Sequence, residues 1–362
     1  MTEVAGALPR VAESPDPFGA FADELIARIE NAGAASDARS TTFSFGPLVV
    51  DFRVVGDRYR HRLTEAIEFA GVSERARTSA AWRLTAIDGA ASGLGVPPEW
   101  KLPITSRRHL ERLHQSQDGQ LTVRYNPPTS TWSVICSARR LAAIWTADAE
   151  QLPDWDDSAP CREVFHWMTL STDCFLAHAA AIGIGNDGIL LTGPGGSGKS
   201  TTAAAAAVSG LVTIGDDFVL IDPRSGHAHA LYDTIKLDSR SSAWFPELAS
   251  HAVNPRRDPS AKSRIHLLRS RSSAFAHQLR IKAILLPRAD GQTTTTIAPA
   301  TVAEAMRALA PTTICLIRGG EIETIRKSAA FLRGLPAYRC NLGADPREAA
   351  VTLSAFIRDL PA

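Results

Sequence analysis

The spacing of apolar residues over the first 150 positions predicts a mixture of helices and strands. Apolar side chains recur at helical spacing over 18–35, and a second helix is predicted around 63–70. The β-rich run at 43–55 predicts a strand. Two further β-rich runs flank an Asn-Pro-Pro turn and predict a hairpin over 121–136. This part of the chain is therefore expected to fold as an α+β domain.

Beyond a Pro- and Asp-rich stretch at 152–160, strands and helices alternate, which is typical of an α/β domain. The predicted elements are, in order, helix 161–170, strand 175–184, strand 189–193, a helix that ends near Ser209, strand 211–222, strand 279–286, helix 301–310, strand 313–317, helix 321–334, strand 337–342 and a helix that begins after Asp345. We therefore divide the chain into a flexible tail (1–16), a smaller N-terminal α+β domain (17–150) and an α/β domain (151–362).

Composition and charge narrow the classes of function. Of 362 residues, 44% are hydrophobic and 21% charged, which is typical of a globular protein and excludes a disordered or collagen-like chain. The formal net charge is +1, so nucleic acid is not an expected partner. The five cysteines follow no disulfide or zinc spacing, and no uncharged apolar stretch reaches the ~18 residues of a membrane span. Neither a signal peptide nor a membrane span is predicted, and we expect a cytoplasmic location.

Residues 193–200, Gly-Pro-Gly-Gly-Ser-Gly-Lys-Ser, match the phosphate-loop pattern G-x-x-x-x-G-K-[ST] between a predicted strand and a predicted helix. Glycines let backbone N–H groups surround phosphate oxygens, and the helix N-terminus adds partial positive charge. Lys199 can reach the outer phosphates, and the Ser200 hydroxyl can bind Mg²⁺. A Gly-rich turn without a ligand is the alternative, but it does not require Lys-Ser at its end. The pattern predicts ATP and Mg²⁺ as ligands, with nucleotide contacts from Gly193, Pro194, Gly195, Gly196, Ser197, Gly198, Lys199, Ser200 and Thr201.

Two adjacent aspartates follow this loop. Asp216 and Asp217 stand 17 and 18 residues after Lys199, which leaves room for one helix, a turn and a strand. We expect them on the strand beside the loop, facing the γ-phosphate, where one could bind Mg²⁺ and the other could accept a proton. A solvated turn that ends the strand is the alternative. His178, 21 residues before Lys199, is either a core histidine or a side chain that contacts and orients Asp217.

Basic residues cluster in one segment of the α/β domain. Residues 255–288 hold nine Lys or Arg and one acidic residue, a local balance of +8. The segment is either a solvated loop followed by a strand, or a loop that closes over the triphosphate with Lys262 and Arg264 at the transferring phosphate. Nucleic-acid binding is the least favoured interpretation, because aromatic residues do not alternate with the charges. Lys236 is a further candidate for contact with the nucleotide or the acceptor.

Residues 178–222 resemble the catalytic core of the bacterial HPr kinase/phosphorylase family, in which a histidine precedes the phosphate loop and an Asp-Asp pair follows it at similar spacings. The resemblance implies a P-loop kinase domain of the HPr kinase/PEP carboxykinase-like type. The roles it implies are γ-phosphate ligand for Lys199, Mg²⁺ association for Ser200 and Asp216, general base for Asp217 and partner of the base for His178. The loop ends Lys-Ser-Thr where the HPr enzymes generally have Lys-Ser-Glu, which weighs against HPr itself as the acceptor.

The wider stretch from 159–168 through 230–238 is similar to HPr-kinase-related serine kinases found with lasso-peptide gene clusters. Those enzymes phosphorylate the C-terminal hydroxyl residue of a precursor peptide. The resemblance implies an ATP-dependent kinase for a Ser- or Thr-type hydroxyl of a peptide or protein. It does not extend to the N-terminal domain, for which we expect a role in binding the acceptor or a partner. By analogy with the family, a homo-oligomer is also expected. A nucleotide-gated ATPase or switch protein and a small-metabolite kinase are the alternatives.

Overall fold

The computed structural model describes residues 17–34, 39–72, 81–95, 113–116, 118–153, 156–254, 261–314 and 316–361. These residues form a mixed α/β structure with two large sheets, one two-stranded sheet and eleven α-helices. Within the same ranges, no helix combines the length and the apolar character needed to cross a membrane. The predicted tail at 1–16 lies outside the described residues.

The elements follow one another along the whole described chain. The strands are β1 (Arg39–Phe45), β2 (Leu48–Val55), β3 (Gly71–Val72), β4 (Trp82–Asp88), β5 (Leu113–Gln115), β6 (Leu121–Asn126), β7 (Thr131–Cys136), β8 (Leu141–Thr146), β9 (Phe175–Ala177), β10 (Ala180–Ile184), β11 (Asp187–Leu191), β12 (Val212–Thr213), β13 (Val219–Asp222), β14 (His227–Ala230), β15 (Thr234–Leu237), β16 (Ser263–His266), β17 (Gln278–Gln292), β18 (Thr296–Ala300) and β19 (Ala337–Gly343). The helices are α1 (Pro17–Ala34), α2 (Asp57–Thr64), α3 (Gly89–Ser92), α4 (Arg162–Leu170), α5 (Lys199–Val208), α6 (Ser239–Trp244), α7 (Pro246–Ala249), α8 (Leu267–Ser270), α9 (Val302–Thr313), α10 (Glu321–Arg333) and α11 (Pro346–Asp359).

The first sheet contains eight strands in the order β3-β1-β2-β4-β8-β7-β6-β5. Strands β2, β4 and β8 run parallel at its centre, and antiparallel pairs extend it on both sides. Helix α1 packs on one face through Leu25 and Ile29. The run predicted as one strand at 43–55 instead forms the second half of β1 and the whole of β2, because Gly46 turns the chain with a φ of 58°.

The second sheet is built around the long strand β17. Its main path is β12-β10-β11-β17-β14-β13-β9, and β19 with β18 extends the far end of β17. Strands β11, β17 and β19 are parallel to one another. Helix α5 lies close to β10 and α11, because its buried face consists of the alanines 203–207 and alanine leaves little side chain between helix and sheet.

The two sheets share a hydrophobic core. Phe45 of β1 contacts Phe165 of α4 with ring centroids 5.5 Å apart, and the same cluster of buried side chains includes Leu220 of β13. A second aromatic pair, Phe69 and Phe275, meets edge to face at 4.9 Å. All strands of the first sheet precede residue 150 and all strands of the second follow it, yet one cluster of buried apolar side chains contains residues from both sheets.

Three predicted strands differ in the structure. The described residues of the predicted strand 313–317 do not form a strand, since α9 continues to Thr313 and residues 316–320 are turn and coil. Of these described residues only Thr313 lies in the helix, and Leu316 is exposed, so a short apolar run without alternation did not indicate a buried strand here. The run at 211–222 is broken into β12 and β13, and the run at 175–184 is broken into β9 and β10. Both breaks carry predicted site residues.

Removing a ring from the shared core should destabilise the whole protein. Phe165 is buried, and Phe165→Ala is expected to lower the free energy of unfolding by about 3–5 kcal/mol, with a smaller loss for Phe165→Leu. Urea denaturation followed by circular dichroism measures both variants. A loss below about 1 kcal/mol for the alanine variant would contradict a core in which α4 joins the two sheets.

Candidate functional site

The predicted phosphate loop lies between the end of β11 and the start of α5. Gly196 and Gly198 adopt φ angles of 78° and 105°, which residues with a side chain rarely adopt. A Cβ on Gly198 would also lie 2.4 Å from Cδ1 of Leu342. The glycines at these two positions are therefore required by the turn and by the close approach of β19.

The Lys199 side chain closes this loop from inside. Lys199 is the first residue of α5 and is buried, and its Nζ donates to the carbonyl oxygens of Gly193 (2.8 Å) and Pro194 (3.2 Å). Burial lowers the pKa of its ammonium group, and the nearby Asp216 and Asp217 oppose that shift. The loop is thus held around a cation before any anion binds.

The two aspartates lie in a bend rather than on a strand beside the loop. They follow Gly215, between β12 and β13, and β12 is separated from β11 by β10. Gly215 has a φ of 102°, and a Cβ there would lie 2.6 Å from the carbonyl oxygen of Tyr232. This turn brings both carboxylates into the interior, where each is buried. The expected strand position is wrong, but both residues line the same cavity as the loop.

Asp217 is held between two basic side chains. Lys236 of β15 donates from Nζ to Oδ2 at 2.7 Å, and His178 Nε2 lies 3.1 Å from Oδ1. His178 occupies the break between β9 and β10, where its backbone N–H donates to Thr313 and its ring packs on Phe218. Burial by itself would raise the pKa of Asp217, but Lys236 and His178 outweigh burial and hold it well below its ordinary value.

Asp216 has a different environment from its neighbour. Its Oδ2 accepts from the backbone N–H of Lys236 at 3.2 Å, and Ser200 lines the same cavity. Burial raises the pKa of this carboxyl, and the charge of Asp217 adds to the effect. Its Oδ1 is buried and accepts no hydrogen bond from the described residues.

These two oxygen-bearing side chains fit a hard cation. The Ser200 hydroxyl and the unsatisfied Asp216 Oδ1 are the ligand types that Mg²⁺ takes, and Mg²⁺ sites commonly use one or two protein ligands beside phosphates and water. The described part of the chain contains no cluster of three or more His, Cys, Asp or Glu side chains arranged to hold a metal by themselves. Ser200 and Asp216 would hold Mg²⁺ together with phosphate and water ligands.

The loop, the aspartates and the basic residues surround a cavity of about 250 Å³. Predicted residues on its wall are His178, Gly195, Gly196, Gly198, Lys199, Ser200, Thr201, Asp216, Asp217, Lys236 and Lys262. Of the other predicted contacts, Gly193 and Pro194 face the Lys199 amine, and Ser197 lies in the loop without lining the cavity. No family model matches the sequence, and no curated protein matches it either.

Arg264 does not line the cavity. Its guanidinium forms ion pairs with Asp157 at 3.0 Å and with Glu65 at 3.9 Å. Arg269 and Arg280, from the same basic segment, pair with Glu65 and Asp187. Three of the basic residues in this segment are thus paired with acids far away in the sequence, which local counting cannot detect. Lys262 is exposed at the cavity, whereas Arg256 and Arg257 lie outside the described residues.

Helix α6 contributes side chains that the sequence did not single out. Ser241 exchanges a hydrogen bond with Thr201 of the phosphate-loop helix, with their hydroxyl oxygens 2.9 Å apart. Asp238 accepts from the Ser241 backbone N–H as the helix N-cap, and Arg240 and Trp244 complete this side of the cavity. The Asp-Ser pair at 238–239 is typical of a helix start and could have predicted this helix, but no sequence pattern indicated that the helix lies beside the loop.

Two glycines of the loop should respond differently to the same substitution. Gly198→Ala is expected to lower the unfolding free energy by more than about 1 kcal/mol, because a Cβ is strained at a positive φ and clashes with Leu342. Gly195→Ala is the matched control, since no atom lies within 4 Å of its added Cβ and its φ is not positive. Thermal denaturation compares them, and equal losses would contradict this loop conformation.

The charge on Asp217 should make stability depend on pH in a defined direction. Because its folded pKa is lowered, the ionised carboxylate stabilises the fold above the unfolded pKa of about 3.9, and this stabilisation is lost as the pH falls through the folded value. The difference in unfolding free energy between wild type and Asp217→Asn should be larger at about pH 5 than below about pH 4, where it should shrink as the pH falls. Denaturation at a series of pH values measures it, and a difference that grows in acid would contradict the ion pairing.

Proposed function

We propose that the chain is an ATP-dependent kinase that transfers the γ-phosphate to a Ser- or Thr-type hydroxyl of a peptide or protein, through a P-loop kinase domain of the HPr-kinase-related type. The observation that carries the proposal is the position of Asp217. It is a buried carboxylate, flanked by His178 and Lys236, on the wall of the cavity into which the phosphate loop opens. A carboxylate in this position can accept a proton from a group that attacks the outermost phosphate.

The loop supplies the phosphate site. Lys199 Nζ now donates to two carbonyl oxygens of the loop, and phosphate oxygens would be stronger partners because they carry full negative charge. Backbone N–H groups at the start of α5 add partial positive charge toward the same ligand. Ser200 and Asp216 would hold Mg²⁺, which when bound to the triphosphate neutralises charge that develops between the β- and γ-phosphates.

Asp217 is suited to receive the proton of the acceptor. As the hydroxyl oxygen forms its bond to the γ-phosphorus and the bond from that phosphorus to the ADP oxygen breaks, the hydroxyl proton passes to the carboxylate. A lowered pKa keeps Asp217 ionised at neutral pH and makes it a weak base. A weak base suffices because the transition state of phosphoryl transfer is loose and demands little deprotonation of the nucleophile.

The position of Lys236 decides whether Asp217 Oδ2 is free to act as the base, and this position would change when a nucleotide binds. Its ammonium group pairs with Asp217 Oδ2 and lines the same cavity as Lys199. A γ-phosphate in that cavity carries more negative charge than one carboxylate, so Lys236 would turn toward it and leave Oδ2 open to the acceptor hydroxyl. His178 keeps the other carboxylate oxygen in place throughout.

A nucleotide-gated switch is the second candidate, and one observation favours it. Lys236 belongs to the hairpin β15–β16. Arg264 and His266 of the same hairpin form ion pairs with Glu65, which lies in the part of the chain that forms the first sheet. Movement of Lys236 toward a nucleotide would therefore change the contacts between this hairpin and Glu65, and so affect the part of the chain before position 150. In this case the protein would bind or slowly hydrolyse ATP and change its affinity for a partner, without phosphorylating it.

Asp217→Asn separates transfer from binding. The variant should retain ATP binding, because Asp217 does not contact the loop, and should lose about 10²–10⁴-fold in the rate of phosphoryl transfer. The measurement uses ATP with labelled γ-phosphate, Mg²⁺ and a library of peptides that contain Ser or Thr, followed by mass spectrometry for the added phosphate. Calorimetry with ATP reports binding in parallel.

Asp222→Asn is the control, since it makes the same chemical change on β13 but away from the cavity. It should keep both binding and transfer. Transfer at the wild-type rate by the Asp217 variant would contradict the assignment of the base. ATP hydrolysis by the wild type without phosphorylation of any peptide would instead support the switch, and phosphorylation of small hydroxylated metabolites alone would move the acceptor to that class.

A further inference from the structure

Four residues on the wall of the cavity are apolar and are not needed for phosphate chemistry. They are Trp244 at the end of α6, Leu342 at the end of β19, and Pro346 and Ala349 at the start of α11. Charged groups of the proposed reaction, such as Asp217, contribute to the wall of the same cavity. A cavity that combines an apolar surface with a phosphate loop fits a ligand that has both a charged and an apolar part.

Trp244 is placed by a direct link to the phosphate loop. Ser241 bonds Thr201, which lies two residues after Lys199 on α5. Trp244 follows Ser241 by three residues on α6, so the two share one face of that helix. The indole ring is half-buried and therefore stands at the cavity, next to the helix that begins the phosphate site.

A cation already lies over this ring. The Arg240 guanidinium is 4.7 Å from the centroid of Trp244, within the range of a cation–π contact, and Arg240 itself lines the cavity and is exposed. Tryptophan with arginine is a pair that commonly stacks on the planar bases of nucleotides, since both groups offer flat surfaces. An exposed Arg240 can move to let a base in without loss of core packing.

We propose that Trp244 and Arg240 form a stacking site for the purine base of the nucleotide. The proposal rests on the proposed function in that the ligand is a nucleoside triphosphate. A purine matches the two-ring indole in area, so it stacks better than a one-ring pyrimidine. Stacking depends on the π-face rather than on base edges, so adenine and guanine nucleotides should both be held.

The test compares ligands that share the phosphates and differ in the base. Binding of ATP, UTP and inorganic tripolyphosphate to the wild type, Trp244→Ala and Trp244→Phe is measured by calorimetry. For Trp244→Ala we expect about tenfold weaker binding of ATP, unchanged binding of tripolyphosphate, and loss of the preference for ATP over UTP. Trp244→Phe, which keeps a flat ring and most of the packing, should retain much of the ATP affinity.

Tryptophan fluorescence provides a second readout. ATP should change the emission of the wild type but not of Trp244→Phe, and tripolyphosphate should change neither. If the alanine variant binds ATP as tightly as the wild type, or loses tripolyphosphate in the same proportion, the stacking site is refuted. Failure of the wild type to bind either ATP or tripolyphosphate would instead contradict the proposed function itself.

Discussion

The arrangement of the site depends on the neutralisation of a buried carboxylate. An ionised aspartate removed from water is costly unless charged partners and hydrogen bonds replace the solvent. For Asp217 these partners are Lys236 and His178, which come from segments on either side of it in the sequence. The break after β9, the bend before β13 and the start of the β15–β16 hairpin must therefore meet at one point. This requirement explains why two predicted strands are interrupted where they are.

The parts of the site that depend on local backbone geometry could be predicted from the sequence. The glycine pattern and the Lys-Ser pair at 199–200 predicted a strand, a loop and a helix, because each residue type there is fixed by backbone conformation or by reach. A contact between His178 and Asp217 was one of two interpretations that the sequence left open and was implied by the family resemblance, and His178 Nε2 lies 3.1 Å from Asp217 Oδ1. The start of the last helix was also predicted from the sequence, and the side chain of Asp345 caps α11.

The parts of the site that depend on contacts with residues far away in the sequence could not be predicted. Arg264 was expected at a phosphate, but Glu65 and Asp157 neutralise it from about 200 and 100 positions away. The position of Trp244 at the cavity could not be predicted, because a single aromatic residue at the end of a six-residue helix shows no periodicity. The strand expected at 313–317 was wrong because the helix ends at Thr313 and Leu316 is exposed, and a short apolar run does not show by itself which of its residues are buried.

The aromatic contacts between the two sheets also govern how the protein can be divided. A cut near residue 150 would fall between the strands of the two sheets, yet it would leave Phe45 without Phe165 and Phe69 without Phe275. Each half would then present a broad apolar surface to water, which favours self-association. The two halves are therefore expected to be soluble only when produced together, so a partner of the first sheet should be sought with the intact chain.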